Sequence, residues 1–175
     1  FFLMIRRPPR STPYNHRRQR QMCIRDRNNV YCDNTGMYIS GLNTRAMVRF
    51  DGRTLKRVAS LPAGMHNARP YAEGVLFNDT VSDRVRLALP DKDISFAVPQ
   101  FDDAELTHTD LDDSRIARAG FGRGLCVIEE GLVAAGSSPS SIALHDLQDV
   151  RTRGIVTLTR DIRNAIHGLE VWPYA

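Results

Sequence analysis

The sequence predicts an all-β fold built from repeated four-stranded sheets, in residues 28–175. A 14-residue pattern begins with Asn28–Gly41 and recurs at His66–Asp79 and Arg123–Gly136. Each copy places a Gly in a short turn between runs of alternating polar and apolar residues, the period of a half-buried strand. Four antiparallel strands repeating along a chain are typical of a β-propeller, in which each repeat forms one blade. We therefore predict an incomplete β-propeller of three four-stranded blades plus the first strand of a fourth.

Each unit can be divided into four strands in chain order. The first two flank a turn that contains NTG, EG or EG, in which Gly is expected to supply the positive φ that tight hairpins need. No segment of the unit has helical periodicity. A β-sandwich is the alternative, but it gives no reason for a Gly-anchored unit to recur. The predicted third and fourth strands are Thr44–Asp51 and Arg57–Leu61, Ser82–Leu89 and Ile94–Val98, and Ser140–Asp146 and Gly154–Thr159.

The units predict blades at 28–63, 64–118 and 119–163, with a partial blade at 164–175. The second is longer because Gln100–Ala119 is inserted after its fourth strand. Three blades do not close a ring, since propellers contain about four to eight. We therefore expect the chain to be a fragment of a larger protein, in which its exposed blade edges pair with further blades.

Residues 1–27 differ from the rest in composition. They hold eight Arg and one Asp, whereas the other 148 residues hold 16 basic and 19 acidic side chains. The segments FFLMIRRPPRST and RQRQMCIRD resemble translated sequencing-adapter strings, so we expect a disordered leader that is not part of the natural protein. A basic arm for nucleic acid or anionic lipid is the alternative. The remainder is slightly acidic, and we predict no nucleic-acid partner for it.

Several functional classes receive no support from the sequence. No apolar run approaches the length of a transmembrane helix, so we predict no membrane partner. No G-x-S-x-G elbow or helix-opening G-x-G-x-x-G occurs, and we assign no catalytic residue. Cys32 and Cys126 are predicted to be buried free thiols, which favours a reducing, cytoplasmic location.

The most specific candidate site lies where the inner strands begin. The repeat places a polar side chain at the first position of each inner strand, and in a propeller these strands converge on a central channel. Arg, His and Asn together would suit an anionic or polyhydroxyl ligand. The side chains could instead satisfy hydrogen bonds between blades, or the histidines could bind a metal. The candidate ligand-binding residues are Asn28, His66, Asn67, Arg69, Arg123 and His167.

Two acidic segments offer further possibilities. Asn78, Asp79 and Asp83 could coordinate Ca²⁺ through oxygen, or could form an Asx-type turn. The insertion Gln100–Ala119 is rich in Asp and contains His108, and we expect it on the same face as the candidate site. It could be a lid, a partner-binding loop or a solvated loop. We predict no cofactor, with Ca²⁺ or another divalent metal as the alternative.

The segments GVLFNDTVSDRVRLAL and GLVAAGSSPSSIALHDL resemble the six-bladed propellers of the NHL-repeat and gluconolactonase-like group. Segments such as HGLEVWP also resemble uncharacterised bacterial propeller proteins. The gluconolactonase resemblance implies a divalent metal held by Glu, Asn and Asp, whereas the channel positions here are His, Arg and Asn. We therefore predict a ligand- or partner-binding module. A metal-dependent lactonase or hydrolase and a structural interaction platform are the alternatives.

Overall fold

The computed structural model describes residues 29–41, 44–109 and 118–172. Within these ranges it contains twelve strands in three four-stranded antiparallel sheets. The predictions made for the leader, for Asn28 and for the acidic residues at 110–117 lie outside the described residues. The three-bladed, all-β architecture of an incomplete propeller is confirmed, and the sheets do not close a ring. The blade boundaries stay predictions.

The strands follow one another in chain order within each sheet. The first sheet contains β1 (Asn29–Asp33), β2 (Gly36–Ser40), β3 (Ala46–Phe50) and β4 (Leu55–Ser60). The second contains β5 (Met65–Tyr71), β6 (Gly74–Asp79), β7 (Arg84–Ala88) and β8 (Asp93–Ala97). The third contains β9 (Phe121–Glu129), β10 (Leu132–Ser138), β11 (Ser141–Asp146) and β12 (Arg151–Thr157). A 3-10 turn at Asp103–Glu105 lies between the last two sheets, and no helix in the described ranges could cross a bilayer.

The sheets pack so that their first strands are neighbours. Strand β5 contacts β1 and β2, and β9 contacts β5 and β6. Alternate residues on facing sheets form two apolar cores that exclude water. The core between the first two sheets contains Tyr38, Met47, Leu61, Met65, Ala68, Val75 and Phe77. The core between the second and third contains Leu76, Val85, Leu87, Ile94, Phe96, Leu125, Val133, Ala135 and Leu147.

The hairpin glycines are required for more than one reason. Gly36 and Gly131 have positive φ, at 144° and 81°, as predicted. Gly74 does not, because the positive φ of its turn falls on Ala72, at 48°. Gly74 is needed instead for close approach, since an added Cβ would overlap the backbone carbonyl oxygen of Ala88. That contact keeps the start of β6 close to the end of β7.

Residues 164–172 were predicted as the first strand of a fourth blade, and they form no strand. The segment is held instead by the third sheet. The amide of Gly124 donates to the Ile166 carbonyl at 2.8 Å, and the Ile166 amide donates to the Ser137 carbonyl at 3.2 Å.

The two described cysteines differ in exposure. Both are free thiols, and Cys126 is buried as predicted, but Cys32 is exposed. The prediction for Cys32 was wrong because side chains alternate between the two faces of β1. Tyr31 packs towards the second sheet, so Cys32 lies on the other face of the strand. Cys32 shares its face with Val30, which is 53% exposed.

Candidate functional site

Four of the predicted site residues come together around one polar cavity. It has a volume of about 160 Å³ and is lined by Asn29, His66, Asn67, Arg123 and His167. We refer to it as the inner-strand cavity. Asn29, which follows the predicted Asn28, completes the lining. The structure thus shows that these side chains converge, and their role in binding remains a prediction.

A bulge in β5 places two consecutive side chains at this cavity. In a regular strand, His66 and Asn67 would point to opposite faces of the sheet. Here His66 pairs with Asn78 and Arg69 pairs with Leu76, so the ladder is shifted between them. Asn67 takes a φ of 51°, a left-handed conformation that Asn tolerates better than most residues. Bulges commonly redirect a side chain in this way beside functional sites.

A second bulge, in β9, presents Arg123. Gly122 pairs with Ser137 and Gly124 pairs with Gly136, which leaves Arg123 without a residue opposite it in the ladder. The amide of Asn78 fixes this backbone by donating to the carbonyls of Arg123, at 3.0 Å, and Gly124, at 3.1 Å. The second and third sheets are therefore joined by side-chain hydrogen bonds directly behind the cavity.

Phe121 orients the two largest groups of the cavity. The Arg123 guanidinium lies over its ring, 4.4 Å from the centroid. The His66 ring meets the same ring edge-on, at 5.1 Å between centroids. Both contacts are of favourable type for an aromatic ring. Sequence reasoning missed Phe121, although its position two residues before Arg123 in the same strand was a usable signal.

His167 reaches the cavity because the Ile166 backbone is bonded to the third sheet. Its side chain lies beside Arg123, whose Nη1 is 3.0 Å from His167 Nδ1. The side chain of Ile166 lies over Gly136, where there is no Cβ to prevent it. The predicted equivalence of His66, Arg123 and His167 thus brings them to one place, although the last lies outside any sheet.

The cavity carries the positive charge of Arg123, and no carboxylate belongs to its described lining. Burial, together with the charge of Arg123, lowers the pKa of His66 to about 4. Partial desolvation and the same charge also lower the pKa of His167, although its side chain is largely exposed. Both imidazoles are therefore neutral at pH 7. Burial lowers the pKa of Arg123 as well, but a guanidinium stays protonated in proteins.

Arg69 does not line the cavity. Its buried guanidinium donates to the Leu125 carbonyl, and to Asn67 Oδ1 at 3.3 Å. It also lies over the Tyr31 ring, 5.1 Å from the centroid. Arg69 thus connects all three sheets and holds the Asn67 amide from behind. Arg69 therefore acts by positioning Asn67.

The residues considered for Ca²⁺ are occupied by other partners. Asp79 accepts from Arg86 at 3.0 Å, and from the Ser82 amide at 3.2 Å, as in the Asx-type turn that was the alternative. Asp83 forms an ion pair with Arg118. In the part of the chain that the structure describes, no group of three or more His, Cys, Asp and Glu side chains could hold a metal ion.

The described part of the insertion packs beside the third sheet. Thr107 donates its amide to the Arg160 carbonyl at 3.1 Å, and its carbonyl accepts from the Ile162 amide at 3.4 Å. His108 Nδ1 lies 3.3 Å from a carboxylate oxygen of Asp161. Residues 100–109 contribute nothing to the cavity lining. The lid was predicted for the whole of Gln100–Ala119, and residues 110–117 of that insertion lie outside the described residues.

A larger cavity of about 450 Å³ lies between the first two sheets. Its lining is mostly apolar, with side chains such as Met47, Leu61 and Val75. It therefore offers few groups that could select a ligand by hydrogen bonding, and the inner-strand cavity is the stronger candidate.

No protein-family model matches the chain, and no curated protein matches it. The geometry of the inner-strand cavity is therefore the basis on which a function can be proposed.

Proposed function

We propose that the protein binds a small anionic ligand in the inner-strand cavity. The observation that supports this most directly is the charge of its lining. Arg123 supplies one cation, the two histidines are neutral, and the two asparagines supply amide groups. An anion that enters meets charge-assisted hydrogen bonds and no carboxylate of the described lining to repel it.

The arrangement of Arg123 favours binding over a purely structural role. Phe121 and His167 hold its guanidinium in place before any ligand arrives, which reduces the side-chain entropy lost on binding. The cavity volume of 160 Å³ corresponds to about five water molecules at about 30 Å³ each. A ligand of a few non-hydrogen atoms would fill it.

We also propose a relationship to the six-bladed NHL-repeat and gluconolactonase-like propellers, at the level of fold. The sequential four-stranded sheets support it. The resemblance to gluconolactonase-like enzymes implies a metal held by Glu, Asn and Asp, whereas the described lining of the inner-strand cavity is Asn, His and Arg. We therefore propose ligand binding as the function of this cavity.

Replacing Arg123 by Gln tests the proposal. The change removes the cation but keeps a polar, uncharged side chain, and hydrogen bonds to charged groups contribute about 1.5–3 kcal/mol. We expect acetate and phosphate, titrated by calorimetry at pH 7, to bind at least about tenfold more weakly than to the wild type. Arg151→Gln is the matched control, because Arg151 is exposed and pairs only with Asp149 in the described structure, at 3.3 Å; it should bind like the wild type.

A second variant keeps the test valid if R123Q does not fold. His167 is exposed and lies outside the sheets, so His167→Ala should keep the wild-type circular dichroism spectrum and bind the same anions severalfold more weakly. Wild-type affinity in both variants would contradict the proposed function.

A further inference from the structure

The hydroxyl of Thr80 fixes the tautomer of His66. Thr80 Oγ1 donates its only proton to the carbonyl of Gly64. The same oxygen lies 3.2 Å from His66 Nδ1, so in that contact it must accept, and Nδ1 must carry the ring proton. Because the buried ring is neutral at pH 7, its other nitrogen, Nε2, is left as a hydrogen-bond acceptor.

Arg123 contacts the second imidazole of the cavity, that of His167. Its Nη1 lies 3.0 Å from Nδ1 of His167 and 3.5 Å from Nε2, which places the guanidinium nitrogen over the face of the ring. A neutral imidazole carries one ring proton in either tautomer, so His167 offers one donor to a ligand.

The two asparagines add further donors. Asn29 donates through Nδ2 to the Ala68 carbonyl at 3.3 Å, and Asn67 donates to the Arg123 carbonyl at 3.2 Å. Each amide nitrogen has two protons, and one is left after these bonds. The Asn67 amide is held in this orientation because its oxygen accepts from Arg69. The lining residues thus retain amide protons on Asn29 and Asn67, and His66, whose Nδ1 is engaged by Thr80, retains Nε2 as an acceptor for a ligand.

Building on the proposed anion site, we propose that its ligand carries a hydroxyl group next to its charged oxygens. The 2-hydroxycarboxylates glycolate and lactate are small examples. The carboxylate would accept from Arg123 and His167, and the hydroxyl would donate to Nε2 of His66. A simple carboxylate such as acetate satisfies the same donors but leaves the His66 acceptor without a partner from the ligand. The size of the cavity agrees with molecules of this class.

Calorimetric titration of the full chain at pH 7 with glycolate and with acetate tests this pairing. Glycolate is expected to bind at least about tenfold more tightly than acetate. Thr80→Val removes the group that holds the proton on Nδ1, so the preference for glycolate should fall below about threefold. Thr152→Val is the matched control. Thr152 Oγ1 lies 3.0 Å from Nδ1 of His145, a similar Thr–His pair outside the cavity, and this variant should keep the full preference.

The outcomes separate the inference from the proposed function. Equal affinities for glycolate and acetate in the wild type would overturn the inference and leave anion binding intact. Binding of neither anion to the folded chain would overturn the proposed function. Nitrogen-15 spectra of the wild-type imidazoles give a measurement that does not depend on any variant. They should show a protonated Nδ1 and an unprotonated Nε2 in His66, and the reverse assignment would overturn the inference.

Discussion

Arg69 shows how a single buried side chain can organise the cavity without lining it. Its guanidinium contacts the third sheet through Leu125, the first sheet through Tyr31 and its own strand through Asn67. The Asn67 amide, held in this way, presents its nitrogen to the Arg123 backbone. The geometry of two lining residues therefore depends on a third that makes no contact with the cavity.

Replacing Arg69 by Ala is expected to destabilise the protein. It leaves the buried Leu125 carbonyl without its donor, at a cost of about 1–3 kcal/mol, and removes the contact with Tyr31. Urea unfolding followed by circular dichroism measures the loss. Arg84→Ala is the control, since Arg84 is exposed and bonds only to Ser95 in the described structure, at 3.2 Å. A loss no larger than that of the control would show that Arg69 does not connect the sheets.

At the scale of strands and turns, the hairpins and the bulges have different origins. The hairpins follow from local sequence, because Gly-containing turns lie between alternating runs. The bulges of β5 and β9 follow from packing between sheets, in which Asn78 and Arg69 bond to the neighbouring inner strand. The alternation of polar and apolar residues in β5 and β9 does not predict either bulge.

A Gly74→Ala change tests the hairpin account. The added Cβ would overlap the Ala88 carbonyl, and forced repacking of this kind costs about 1–3 kcal/mol. The matched control is Gly154→Ala in β12, where nothing lies within 4 Å of the added Cβ. Thermal melts should show a lower Tm for G74A and an unchanged or slightly higher Tm for G154A. Equal melting temperatures would be inconsistent with close approach at Gly74.

Much of the arrangement of strands, turns and cavity residues could be predicted from the sequence, but part of it could not. The repeat places His66 and Arg123 at equivalent positions, so their convergence was predictable. The contribution of Phe121, the bulge at Asn67 and the interior place of Arg69 depend on contacts between residues far apart in the chain. The segment at 164–172 was mistaken for a strand because alternation alone does not reveal whether a segment pairs in a ladder.

On the scale of the whole molecule, two buried histidines couple stability to pH. His66 lies between the second and third sheets, and His145 stacks on Phe96 at 4.5 Å between centroids. Burial lowers the pKa of each to about 4, with the charge of Arg123 adding to the effect at His66. As the pH falls below about 6.5, these two imidazoles therefore bind protons in the unfolded chain before they do so in the folded chain. Stability is full above that pH and is lost as the pH approaches 4.

Between pH 7 and pH 5 each of these histidines should remove about 1–2 kcal/mol from the free energy of unfolding. The window lies above the range in which the carboxylates of the fold titrate. Urea titrations at the two pH values should show this loss in the wild type. The loss should be smaller in His66→Gln and in His145→Gln, each compared with itself across the two pH values. If neither substitution reduced the loss of unfolding free energy between pH 7 and pH 5, groups other than these histidines would be responsible for it.

The proposal that an anion binds where the three sheets meet is tested most directly by mapping a bound ligand onto the assigned backbone. A nitrogen-15-labelled full chain titrated with glycolate at pH 7 supplies that map. The largest amide shifts should occur at Asn29, His66, Asn67, Arg123 and His167, and they should saturate with one affinity. Shifts concentrated at the apolar cavity between the first two sheets, with these five amides unmoved, would contradict the account.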